Sequence, residues 1–164
     1  MPAQVERYIR GETSPVMVYV ATAKAVPFGS LVGIATDGTL MLAGDQTWNT
    51  NEATTRSDFV ATFAGVAMQE KAAAQVRVPG NTEDNRIRLA TTGIYEFNIT
   101  SASNFVNGVT LIGPDKDTGN ALQNTSCKIV TAQAEAVAVA FQTKTSVTKI
   151  WGKLLSVRFR TDAP

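Results

Sequence analysis

Residues 86–99 read RIRLATTGIYEFNI, and the fold is decided by how they alternate. Ile87 and Leu89 alternate with Arg86 and Arg88, Thr91-Thr92-Gly93 interrupts, and Tyr95, Phe97 and Ile99 then alternate with Glu96 and Asn98. Side chains of a strand point to opposite faces with a period of two, so this pattern predicts a pair of β-strands with one face buried and the other wet. Upstream, residues 59–69 (FVATFAGVAMQ) read as a strand from Phe59 to Met68, in which Gly65 marks a bulge or a close backbone approach. Downstream, residues 106–115 (VNGVTLIGPD), 128–130, 136–141 and 146–159 continue the series, spaced by Gly113-Pro114, Gly119-Asn120 and polar segments.

The same grammar reaches the N-terminal third. Residues 15–23 (PVMVYVATA) carry Val16, Val18 and Val20 on one face and Met17 and Tyr19 on the other, which predicts a strand covered on both sides. Residues 30–42 (SLVGIATDGTLML) hold two short runs around Asp37-Gly38, a dipeptide that supplies the positive φ of a tight hairpin turn. Residues 51–57 (NEATTRS) read either as a short helix capped by Thr50 or Asn51, or as an irregular loop, because threonine is a weak helix former. Residues 79–85 (PGNTEDN) are the most hydrophilic stretch and the expected exposed tip. Residues 1–14 are sparse in core-type side chains and read as an arm ahead of one domain spanning 15–164. About ten short strands at this spacing, with at most one short helix near 51–58, predict an all-β single-domain barrel or sandwich.

Composition restricts the function classes. The 164 residues carry 15 basic and 14 acidic side chains, a net charge of +1, so no long-range field draws the chain to phosphate backbones or anionic lipid. Only 18% of residues are charged, below the usual value of about 25%. There is no histidine and only one cysteine, Cys127, which excludes an intrachain disulfide and a zinc site built on Cys/His clusters. The first twenty residues contain Glu6, Arg7, Arg10 and Glu12 and lack the apolar core of a signal peptide. The apolar run 136–141 is far short of the roughly 20 residues a membrane helix needs. The chain is therefore expected to be soluble where it is made.

The motifs that resemble chemical sites fail on spacing. Asp115-Lys116-Asp117-Thr118-Gly119-Asn120 begins like a calcium loop, but Gly119 stands where the third ligand belongs and Ser126 replaces the bidentate glutamate, so an ordinary turn is expected. Glu83 and Asp84 are neighbours in a polar loop rather than carboxylates facing across a cleft. Cys127 has no histidine to activate it and reads as a buried thiol, and the serines lack a base other than lysine. Lys144, Lys149, Lys153, Arg158 and Arg160 gather near Trp151 and Phe159, which reads as a solvent-facing row protecting an edge strand in preference to a nucleic-acid platform. Trp48, in a polar segment, is either a cap on the core or an anchor in an interface.

Phe63-Ala64-Gly65-Val66-Ala67, residues 88–97 (RLATTGIYEF), Val106-Asn107-Gly108, Ile112-Gly113-Pro114 and Gly119-Asn120-Ala121-Leu122 together carry a family resemblance. Over about residues 46–157 the chain resembles the capsid cement, or decoration, proteins of tailed bacteriophages, with the N-terminal arm lacking a clear counterpart. The resemblance implies an all-β structural subunit without catalytic, cofactor or metal residues. Such a subunit is made in the host cytoplasm and sits on the outer surface of the virion. Its implied partners are the major capsid protein and neighbouring copies of itself, as a homotrimer or alternatively a dimer, with no direct nucleic acid and no membrane. Expected shell or inter-subunit contacts are Val5, Tyr8, Ile9, Arg10, Trp48, Arg158 and Arg160, and the scaffold glycines are Gly38, Gly65, Gly93, Gly113 and Gly119. The alternative reading is a carbohydrate- or receptor-binding β module of a phage tail or an adhesin.

Overall fold

The computed structural model describes residues 7–10, 15–74 and 85–156, with the backbone alone described for 7–10. In chain order the strands are β1 (Arg7–Arg10), β2 (Pro15–Tyr19), β3 (Leu31–Ile34), β4 (Leu40–Leu42), β5 (Phe63–Ala67), β6 (Arg86–Ala90), β7 (Ile94–Phe105), β8 (Leu111–Lys116), β9 (Leu122–Val130), β10 (Ala138–Ala140) and β11 (Lys144–Leu154). One α-helix, α1 (Glu52–Thr62), precedes β5. Among the described residues the chain is all-β with this single short α-helix, within the expectation of at most one.

Five strands close a barrel in the order β7-β11-β10-β8-β9, and β9 returns to β7 through a single parallel pair, Ile99 with Cys127. Strand β1, inside the stretch read as an arm, pairs with β7 at Tyr95 and Glu96. Between its pairs Ser103 with Val147 and Asn98 with Lys149, β7 advances five residues while β11 advances two. This large bulge lets β7 leave β11 and meet β9 at Ile99, bending the strand as closure of a narrow barrel requires. Tyr95, Phe97, Ile99, Ile112, Cys127, Ala138, Ala140 and Ile150 are buried together in one core cluster. Gly152 lies among them, and a Cβ there would stand 2.9 Å from the Phe97 ring.

The other five strands form a sheet in the order β2-β6-β5-β3-β4. Its alternation feeds two cores. Leu31, Phe63, Val66 and Ala90 join the barrel cluster, whereas Val32, Ala64, Ala67, Ile87 and Leu89 join a second cluster with Val18, Val20, Val26, Leu40 and Leu42. Val18 and Leu40 belong to strands on opposite margins of this sheet, so the sheet curls around the second cluster.

Several expectations are corrected. The stretch 86–99 is two strands but not a pair: β6 bonds to β2 and β5, β7 bonds to β1, β11 and β9, and Thr91 to Gly93 link the two sheets. Alternation fixes which face of a strand is wet but carries no information on its neighbour. Residues 59–62 are helical rather than strand, and α1 is capped by Asn51, whose Oδ1 accepts from Thr54 N at 2.9 Å. Phe59 in α1 and Phe63 at the start of β5 are both fully buried with ring centroids 5.9 Å apart, and because positions four apart share a face in a helix and in a strand alike, their spacing does not distinguish the two. Strand β2 is covered on one side only, with Met17 and Tyr19 exposed. Gly113 and Pro114 are not a spacer, since they lie within β8. Finally, β11 is no edge strand, because it runs between β7 and β10.

Other assignments hold. The β3–β4 hairpin turns at Asp37-Gly38, with Gly38 at φ 82° and Asp37 Oδ1 accepting from Thr39 N and Oγ1. Gly65 is a close approach: a Cβ there would stand 2.0 Å from the Ala90 carbonyl oxygen. Gly65→Ala is therefore expected to lower stability by about 1–3 kcal/mol, the usual range for forced overpacking. Urea midpoints would check this, with the exposed, unobstructed Gly119→Ala as the near-neutral control.

Candidate interaction surface

The outer wall of the barrel carries an apolar band that follows from strand register. Ala138 and Ile112 face inward, so their neighbours Val139 and Leu111, which pair directly, face out. Ala140 pairs with Gly152 inside, and Phe141 N donates to Trp151 O, which sets Phe141 beside Trp151 on the outer face. Leu111, Val139, Phe141 and Trp151 are each half-buried. The β7–β8 turn extends the band with Val106 and Val109, 50% and 69% exposed. That turn is held by Thr110 N donating to Val106 O and Gly108 N donating to Ala140 O, with Gly108 at φ 73°. Lys149 and Lys153 are exposed at the margin of the band, and Lys149 Nζ lies 3.7 Å from Glu96 Oε1. Half-buried and exposed apolar side chains with a charged margin make this wall the candidate interaction surface.

On another part of the wall, α1 is tied to the barrel by charge. Buried Arg56 places Nη2 3.1 Å from Glu52 Oε1 and Nε 3.2 Å from Glu135 Oε2, the latter close enough for an ion pair but not aligned as a hydrogen bond. Lys128 Nζ bridges Glu52 Oε1 at 3.2 Å and Asp115 Oδ1 at 3.5 Å. Gly113 makes room for this network, since a Cβ there would stand 2.3 Å from the Glu135 carbonyl oxygen and 2.9 Å from Arg56 Cδ. Burial raises the Asp115 pKa, but hydrogen bonds from Thr100 and the Lys116 backbone, with the charge of Lys128, outweigh it and hold the carboxyl below its ordinary value. A polar cleft of about 230 Å³ opens beside this group, lined by Thr100, Ser101, Ser103, Asp115 and Lys128 where β7 swings from β11 to β9.

Lys71 is a buried lysine whose Nζ donates to the carbonyls of Thr22, Lys24 and Ala72 at 2.8, 2.9 and 3.2 Å. Burial lowers its pKa, while the three carbonyl dipoles satisfy the ammonium donors. The lysine thus pins residues 22–24 to 71–72 over the second core, a tie that nothing in the sequence marks.

The sequence-derived candidates divide in this frame. Trp48 is half-buried ahead of α1. Tyr8, Ile9 and Arg10 belong to β1, which adds to the margin of β7, while Val5, Arg158 and Arg160 lie outside the described residues, as do Glu83 and Asp84. Asp117 Oδ1 accepts from Gly119 N and Ala121 N, so the segment that begins like a calcium loop is the expected turn. Among the described residues no three His, Cys, Asp or Glu side chains gather as a metal-ligand set. Cys127 is buried at the barrel seam. Among the described residues no helix is long and apolar enough to cross a membrane. The band itself was missed because Val109, Leu111, Val139, Phe141 and Trp151 are scattered along 43 positions, from 109 to 151, and converge only through register. No protein-family model matches the chain, and no curated protein matches it.

Two stability outcomes follow. Asp115 has a folded pKa below its unfolded value, so its contribution is present above the ordinary carboxylate pKa of about 4 and fades as pH falls through the lowered folded value. Asp115→Asn should flatten the acid limb of a stability-against-pH curve, read by urea midpoints from pH 6 downwards. Lys71→Met removes the donor from three carbonyls and should cost about 1–3 kcal/mol in the same measurement at neutral pH.

Proposed function

We propose that the chain is a structural capsid-decoration protein that binds the outer surface of a major capsid shell and stabilises it against internal DNA pressure. The observation that carries this reading is the outer band of Val106, Val109, Leu111, Val139, Phe141 and Trp151 on a closed barrel wall. A barrel wall has no open strand margin to deform, so it can press against a partner as a rigid face. Apolar burial across a seam between shell subunits opposes their separation, and a ligand that prefers the mature shell stabilises that state by linkage. Many copies on one shell make modest single-site contacts collectively large. The near-zero net charge permits close spacing of identical copies without mutual repulsion.

Co-sedimentation with purified expanded and unexpanded empty shells tests the proposal. The wild-type chain is expected to sediment with expanded shells at a fixed stoichiometry. Val109→Asp, at a position 69% exposed and outside any strand, should leave thermal unfolding unchanged and weaken occupancy about tenfold, equivalent to about 1.4 kcal/mol. Removing residues 2–11 should weaken occupancy with the barrel still folded. No sedimentation with either shell, together with selective retention on a glycan array that Trp151→Ala abolishes, would replace this reading with the carbohydrate-binding one.

A further inference from the structure

The free margin of β2 has the geometry of a self-pairing strand. In the β2–β6 register, Val16, Val18 and Tyr19 stand opposite Leu89, Ile87 and Arg86, and Val20 N donates to Asn85 O at 2.6 Å. Antiparallel pairs alternate between those that exchange both backbone bonds and those that exchange none. Val16, Val18 and Val20 therefore turn their N–H and C=O groups to β6. This phase agrees with Arg88, which turns the other way and accepts from Met68 N. Met17 and Tyr19 consequently aim their backbone groups outward from the sheet, where no described residue bonds them. Their side chains, 48% and 39% exposed, lie on the outer face beside Arg88 and Arg86.

Edge strands in isolated proteins are usually blunted by lysine, proline, inward charge or a bulge; β2 has no lysine, charge or bulge, and its one proline, Pro15, stands at its first position, ahead of Met17 and Tyr19. We propose that two copies of this chain pair antiparallel through β2, about a twofold axis at Val18. This alignment sets Met17 opposite Tyr19 of the second copy, and Tyr19 opposite Met17 of the second copy. Both pairs then exchange their outward N–H···O=C bonds. On the outer face each Met17 thioether meets a tyrosine ring, a favourable sulfur–aromatic contact made twice by symmetry. No like charges meet: Arg88 and Arg86 of the second copy are separated by three strand spacings, about 14 Å, beyond the screening length at physiological salt. The occupant is thus a second copy rather than an acidic segment of another protein, because the groups that would contact the added strand are apolar and self-complementary. The two five-stranded sheets become one continuous sheet. The inference stands independently of what the apolar band binds.

Sedimentation velocity over a concentration series, combined with register-specific cross-linking, tests it. The wild-type chain is expected to dimerise. The Met17→Lys/Tyr19→Lys double variant should be monomeric with an unchanged circular dichroism spectrum, and its thermal midpoint should lack the concentration dependence that dimerisation gives the wild type. Paired residues that exchange backbone bonds have Cα atoms about 5.5 Å apart, within the disulfide range, whereas the diagonal neighbours at about 7–8 Å are not. A mixture of Met17→Cys chains with Tyr19→Cys chains should therefore cross-link under mild oxidation, and neither variant alone should; native Cys127 is buried and does not interfere. A wild-type chain that stays monomeric, a dimer that survives the lysine pair, or single-variant cross-linking as fast as in the mixture would each overturn the proposal. Loss of shell binding by the lysine variant of a monomeric wild type would assign the margin to the shell protein instead.

Discussion

Closure of the barrel depends on one parallel contact, Ile99 with Cys127. Every other neighbour relation in the barrel is antiparallel, and the ring is complete only because β7 leaves β11 over its bulge and reaches β9. Several residue choices are consequences of that closure. Cys127 is a fully buried thiol at that contact, and Gly152 leaves space for the Phe97 ring. Strand β10 is only three residues long, with three pairs to β11 and two to β8, and it is held between those two longer strands. The bulge that makes closure possible also opens the cleft between Ser101, Ser103 and Lys128, so the polar gap is the geometric remainder of a bent strand.

The helix is the second element whose position rests on few interactions. Asn51 starts it, Phe59 and Val60 bury it, and Arg56 with Glu52, Glu135 and Lys128 fix it against the barrel wall. Ion pairs taken out of water contribute little net stability, because desolvation offsets their attraction, but removing one partner is costly. The network therefore specifies the position of α1 more than it strengthens the fold, and Gly113 is the condition for it. A methyl group at 113 would occupy the place of the Glu135 carbonyl and the Arg56 side chain. The glycines singled out from sequence accordingly serve separate ends: Gly38 turns a hairpin, Gly65 admits the Ala90 carbonyl, and Gly113 admits a neighbouring chain segment.

Legibility followed the range of the forces involved. The hairpin at Asp37-Gly38, the capping by Asn51, the turn at Asp117 to Gly119 and the alternation within β6 and β7 depend on residues within a few positions of one another. The separation of β6 and β7 into different sheets, the burial of Lys71 and the placement of Gly113 inside a strand depend on partners far away along the chain, such as Thr22 at 49 positions from Lys71. The one-sided burial of β2 shows the same limit: five apolar residues in a row announce a strand but not whether a second layer covers it.

The amino-acid sequence by itself determined an all-β chain with at most one short helix, a near-neutral composition and the local turns, because period, propensity and capping are settled between near neighbours. Only the tertiary structure decided that five strands close on one another, that α1 rests on the wall at Gly113, and that the apolar side chains spread between Val106 and Trp151 form one outer band. Register makes the difference, since shifting β8, β10 or β11 by one residue would turn that strand's share of the band inward, and register is set by long-range pairing that no local pattern contains.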